Sequence, residues 1–207
     1  MSYSKFKKLE QLSKELGISY KNIAFLPYLT KQEVSRKILE DLADANITAL
    51  TTEKAKSENI VSPVLKDFVR SNIEIISSFS GFEFNVDAQQ KLTGYCDFIL
   101  SASGRKLEIT APIFCLVEAK NAEIDKGLAQ CGAEMYAGLL FNEKNGIPRK
   151  VMYGCVTNAF SWCFLKLEGK ELLIDPNYVP LSFARPHEVL AVLQWILDKS
   201  LANAPSS

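Results

Sequence analysis

The run Ile113-Phe114-Cys115-Leu116-Val117 is apolar at every position. Successive side chains of a strand point to opposite faces, so such a strand needs apolar cover on both sides. That requirement points to a sheet held between two layers. The run does not end in turn residues but in Glu118-Ala119-Lys120. Strand alternation sends Glu118 and Lys120 to one face and Ala119 to the other. An acid and an amine side by side at the end of a buried strand mark a candidate site.

The rest of the chain supports a layered α/β domain. Its 207 residues, 47% of them hydrophobic, suffice for one domain with a real core. Lys and Arg number 24, as do Asp and Glu, so nucleic-acid binding would rest on a local patch rather than on net charge. The first forty residues lean basic and read as a solvated helical face. The five cysteines (96, 115, 131, 155 and 163) form no C-x-x-C pair and sit in apolar patterns. They read as buried, reduced thiols of a cytoplasmic protein. His187 is the only histidine, and zinc-ligand spacing is missing. The N-terminus carries charges where a signal peptide would be apolar, and no apolar run is long enough to span a membrane.

Periodicity predicts a helix over 3–16, closed by Gly17, and a second over 31–45, capped by Thr30 with Glu33 completing a capping box. A third runs from near Thr52 past Phe68, with Pro63 implying a kink or a start nearer Ser62. Strands follow at 82–86, 95–101 and 108–120. A helix over 122–141 and a strand over 151–156 come next. A hairpin then joins 161–167 to 172–174 through Gly169, before a last helix over 186–201. Residues 1–50 read as an N-terminal helical extension, 51–203 as the main domain and 204–207 as a frayed tail. Tyr95, Tyr153, Trp162 and Phe164 read as core packing rather than as a base-stacking platform.

Asp97 belongs to the strand before the apolar run. Adjacent strands lie about 4.8 Å apart, so Asp97 and Glu118 as neighbours would repel, and burial would add to the cost. A divalent cation removes the conflict. Mg²⁺ takes oxygen ligands and usually only one or two carboxylates, and the carbonyl of Ala119 would offer another oxygen. Lys120 beside a metal-bound water would orient it, assist its deprotonation or stabilise phosphate charge.

Gly94-Tyr95-Cys96-Asp97 followed by Val117-Glu118-Ala119-Lys120 resembles the signature of the PD-(D/E)xK nuclease superfamily, with Cys96 where many members have proline. The resemblance covers 52–200. It includes Glu58 ahead of an apolar helical stripe, Gln130 in the helix after the motif strand, and Tyr153–Asn158 with Trp162–Leu165 as late strands. These last resemble the nuclease domain of type I restriction motor subunits. The resemblance implies a restriction-endonuclease-like mixed central sheet flanked by helices. It implies Mg²⁺, with Mn²⁺ as substitute, held by Asp97, Glu118, Ala119 and Glu58. Lys120 would act on the attacking water and Gln130 would brace the site. It implies DNA as substrate, a homodimer, and a separate motor or specificity subunit, since no P-loop motif is present. The alternative is a catalytically silent nucleic-acid-binding or assembly module of the same fold.

Overall fold

A computed structural model describes residues 2–29 and 33–203. In chain order its elements are α1 (Leu9–Leu16), β1 (Ser19–Asn22), α2 (Arg36–Ala45), α3 (Glu53–Lys56) and a π-helical segment (Ser57–Val61) running into α4 (Ser62–Ser71). There follow β2 (Ser77–Glu83), β3 (Tyr95–Ser101), β4 (Ile113–Ala119), α5 (Asp125–Lys144), β5 (Val151–Thr157), β6 (Ser161–Glu168), β7 (Glu171–Ile174), β8 (Val179–Pro180) and α6 (His187–Ala202). The strands form one mixed sheet in the order β1-β7-β6-β5-β4-β3-β2, with β8 paired to the start of β6. The chain is thus an α/β protein with an eight-stranded mixed sheet flanked by helices.

β4 lies inside the sheet between β5 and β3, and all seven of its residues are buried. It runs antiparallel to β3 and parallel to β5, and α5 makes the crossover between the parallel pair. One core joins residues of α1 and α5 to one face of the sheet, including Leu12, Leu116, Met135 and Val156. The other joins α2, α4 and α6 to the opposite face, including Ile38, Phe68, Val117 and Ile196. Two polar contacts fix the depth of β4. The Asn142 side chain accepts from the Ile113 N–H and donates to the Ile113 carbonyl, both at 2.7 Å. α5 packs closely at two glycines: a Cβ at Gly132 would fall 2.7 Å from Leu12 Cδ1 of α1, and one at Gly138 2.8 Å from Met152 Cε of β5, so either side chain would have to shift.

Several element boundaries differ from the sequence expectation, each for a physical reason. The helix expected over 3–16 is a 3₁₀ turn, Tyr3–Lys5, and a separate α1. Tyr3 and Phe6 are drawn into the core, and the Tyr3 hydroxyl donates to the Phe84 carbonyl at 2.7 Å. α2 begins at Arg36, because Ser35 accepts from the Ile38 N–H and caps it, a contact of about 1 kcal/mol. Glu33 is exposed and non-helical. The expected cap at Thr30 and the tail at 204–207 lie outside the described residues.

The helix expected past Pro63 is continuous in space but changes pitch. The Ser62 N–H reaches back to the Ser57 carbonyl, a π-helical bond just before Pro63. A wider turn relieves the clash that the proline ring would make with the preceding turn. β2 starts at Ser77 rather than 82, and β4 starts only after Pro112, which has no N–H for the ladder. α5 starts at Asp125 rather than 122, because the Ala122 carbonyl is taken by Asn158. The first fifty residues add a strand as well as helices: β1 pairs in parallel with β7 along its whole length.

The five cysteines are buried and free. Tyr153, Trp162 and Phe164 are buried as core residues, but Tyr95 is 66% exposed. Among the described residues, no helix is long and apolar enough to cross a membrane.

Candidate active site

Glu118 is the penultimate residue of β4 and Asp97 is the third residue of β3. The antiparallel register pairs Phe98 with Val117, so the next step of the ladder sets Asp97 across from Glu118. The Asp97 carboxylate turns back on the chain and accepts from the Ala119 N–H at 2.8 Å. Lys120 follows the strand end, held by its own N–H donating to the Thr157 carbonyl at 2.7 Å. Its ammonium donates to Glu118 Oε1 and, at 3.5 Å, to Gln130 Oε1 of α5. Gln130 in turn donates from Nε2 to Glu134 Oε1 at 3.1 Å. Gly127 makes room for this chain, since a Cβ there would sit 3.2 Å from Lys120 Cε.

The cluster is dry. The Glu118 and Lys120 side chains are 2% and 19% exposed, and Glu134 is fully buried. The second oxygens, Oε2, of Glu118 and Glu134 are buried with no hydrogen-bond partner. One ammonium therefore serves three acids. Burial, then repulsion from Asp97, pushes the Glu118 carboxyl above the usual carboxylate range, against the pull of Lys120. Burial, then Glu118, pushes Glu134 well up. Burial raises Asp97 as well, offset in part by the Ala119 N–H and by Lys120. For Lys120, burial works downward, but the neighbouring carboxylates outweigh it and the net direction is up.

On its other side the strand end opens onto a cleft of about 280 Å³, lined by Glu53, Ser57, Glu58, Ser80, Asp97 and Ala119 among others. Glu53 Oε2 accepts from the Asn121 N–H at 3.0 Å, and the Lys56 ammonium donates to the Asn121 carbonyl. These contacts clamp the first turn of α3 to the loop after β4.

The fold thus brings together Asp97, Glu118, Ala119, Lys120 and Gln130. Glu58 reaches the same cleft, but its side chain is 64% exposed and faces Lys54 at 3.8 Å. Glu53, one turn earlier, is the helical acid whose charge bears on Asp97, Glu118 and Lys120. Glu53 and Glu134 are not among the residues that the sequence singles out. Glu53 follows the Thr52 cap and looks like any first-turn acid. Glu134 carried a usable signal: it stands four residues after Gln130, between Ala133 and Met135 in an apolar helical pattern.

Two carboxylates on adjacent strands, one with a buried oxygen lacking any donor, suit a divalent cation. Among the described residues, no three His, Cys, Asp or Glu side chains gather into a metal-holding group. An ion here would rely on Asp97, Glu118, backbone oxygen and water. No protein-family model matches the chain, and neither does any curated protein.

Proposed function

We propose that this chain is a metal-dependent nuclease that hydrolyses DNA phosphodiester bonds, with a restriction-endonuclease-like fold of the PD-(D/E)xK kind. The observation that carries this reading is the unpartnered Glu118 Oε2, buried beside Asp97 and next to Lys120. Asp97 and Glu118 would hold Mg²⁺, or Mn²⁺ in its place, with the Ala119 carbonyl and water as further ligands. When bound, the ion would polarise a phosphate oxygen and lower the pKa of a water.

The chain's own residues supply the rest. Glu118 keeps the Lys120 ammonium at the strand end, and Gln130 limits its swing from the α5 side. A protonated Lys120 there can steady the charge that builds on a phosphate in the transition state. Asp97 is held by the Ala119 N–H, which keeps its carboxylate at the edge of the cleft. The five buried thiols support a reducing, cytoplasmic setting. Cutting both strands would call for a homodimer, and target choice for a separate motor or specificity chain.

A second reading, a silent nucleic-acid-binding or assembly module, draws on one observation: Lys120 is tied back to Glu118 while the open cleft reaches Asp97 and Ala119. The test is cleavage of plasmid and single-stranded DNA with Mg²⁺, Mn²⁺ or EDTA, beside Glu118→Gln and Lys120→Met. Metal-dependent cutting lost in both variants is the expected result. Metal affinity without cutting identifies the silent module.

A further inference from the structure

A larger cleft, of about 820 Å³, lies at the other end of β5. Val151 and Tyr153 line it, whereas Thr157 at the far end of the strand touches Lys120. At about 3.3 Å per residue the two ends are roughly 20 Å apart. The walls come from the segment before β5, from β6, from the last turns of α6, and from Phe25.

Its chemistry is distinctive for a chain with no net charge. Arg149, Lys150, Lys166 and Lys199 line it, against one acid, Glu168. Glu168 is spent on Lys166 at 2.7 Å. Among the described residues, Arg149, Lys150 and Lys199 have no carboxylate partner. Arg149 is half-buried, and only its Nη1 is engaged, donating to the Ser200 carbonyl at 3.3 Å. Burial works against the Arg149 charge and lowers its pKa, so an anion arriving there would relieve a real cost. Beside these cations stands an aromatic surface. Trp195 is half-buried, its ring 5.7 Å from Tyr153 in an edge-on contact and 6.0 Å from the Lys199 ammonium. The Tyr153 hydroxyl has no hydrogen bond among the described residues and borders the same cleft.

We propose that this cleft binds a nucleoside phosphate, with the phosphate on Arg149, Lys150 and Lys199 and the base against Trp195 and Phe25. Guanidinium and ammonium groups without acidic partners fit phosphate oxygens, and a planar base gains from stacking on an aromatic ring. The volume is that of small-ligand sites. The ligand is either a free nucleotide or the end of a nucleic-acid strand. The site stands apart from Glu118 and holds whether or not that cluster cuts DNA.

Tryptophan fluorescence tests it. Trp162 is fully buried, so quenching by a ligand in this cleft reports on Trp195. The titrants, in EDTA, are deoxyadenosine monophosphate, deoxyadenosine, inorganic phosphate, an oligodeoxynucleotide and polyglutamate. The proposal expects saturable quenching by the nucleotide or the oligonucleotide, with deoxyadenosine and phosphate at least about tenfold weaker. Arg149→Gln combined with Lys199→Gln weakens binding about tenfold or more, with an unchanged thermal midpoint. Glu118→Gln leaves it as it was. Tighter binding of the oligonucleotide makes the ligand a strand end, and tighter binding of the nucleotide makes it a free metabolite. No saturable quenching by either, equal binding by the double variant, or a preference for polyglutamate overturns the proposal.

Discussion

Asp175 and Glu118 are both carboxylates buried in the same sheet, and the protein treats them in opposite ways. Asp175, just after β7, is fully buried and satisfied on both oxygens. Its Oδ2 accepts from the N–H groups of Phe25 and Leu26 at 2.8 and 3.0 Å, and its Oδ1 from Asn177 N and Nδ2 at 2.9 and 3.1 Å. It pins the segment after β1 to the sheet. Glu118 has one ammonium on one oxygen and nothing on the other, and nearby Glu134 has only the Gln130 amide on one oxygen and nothing on the other. A buried acid that serves the fold is surrounded by donors. One left short of donors, beside further acids, costs stability and needs another reason to persist.

The sharpest way to break this comparison is to neutralise each acid in turn. Glu118→Gln is expected to reduce metal-dependent cleavage by about 100-fold or more. It should lower stability by only about 1 kcal/mol, because losing an under-satisfied buried acid offsets the lost ion pair and the new amide oxygen can still accept from Lys120. Asp175→Ala should do the reverse. It strands three backbone N–H groups, those of Phe25, Leu26 and Asn177, and lowers stability by about 2–4 kcal/mol in urea unfolding, while cleavage per folded molecule stays. Equal losses of both kinds in both variants would erase the distinction.

The next effect is on pH. Glu118 and Glu134 both titrate above the ordinary carboxylate range in the folded chain. Between the unfolded value and the raised one, the folded state holds more protons than the unfolded state. Stability is therefore present in acid and lost as pH rises. In EDTA the wild-type unfolding free energy should fall from about pH 5 to about pH 8, and the Glu118→Gln, Glu134→Gln double variant should flatten that slope. A slope that survives both substitutions would place the proton uptake elsewhere.

Smaller effects separate the supporting residues. Glu134→Gln keeps a partner for Gln130 but removes a titratable acid, so cleavage should fall by roughly threefold to tenfold, with a shifted pH profile. Glu53→Gln should cost about tenfold and Glu58→Gln less than about twofold, because Glu53 is the acid that bears on the cluster. The opposite ranking would restore Glu58 to the role expected from sequence.

How far the sequence could be read follows from the range of each interaction. β4 and its terminal Glu-Ala-Lys were legible because strand alternation is local and the strand is buried on both faces. Asp97 opposite Glu118 was legible as soon as β3 and β4 were taken as neighbours. The helical acid was not, since Glu53 and Glu58 lie on either side of the change from α-helical to π-helical pitch, which alters their angular relation. Only Pro63 hints at that change. Glu134 needed the packing of α5 to show that its face is buried. The late start of α2 hinged on Ser35, which also donates to Asp67 and is thus fixed by a tertiary contact.

Titration calorimetry with Mn²⁺ tests the central claim most directly. If the unpartnered oxygen of Glu118 beside Asp97 is there to receive a cation, the wild-type chain binds Mn²⁺, and both Glu118→Gln and Asp97→Asn abolish binding while remaining folded. Wild-type protein that takes up no metal, or variants that bind as well as it does, would contradict the account.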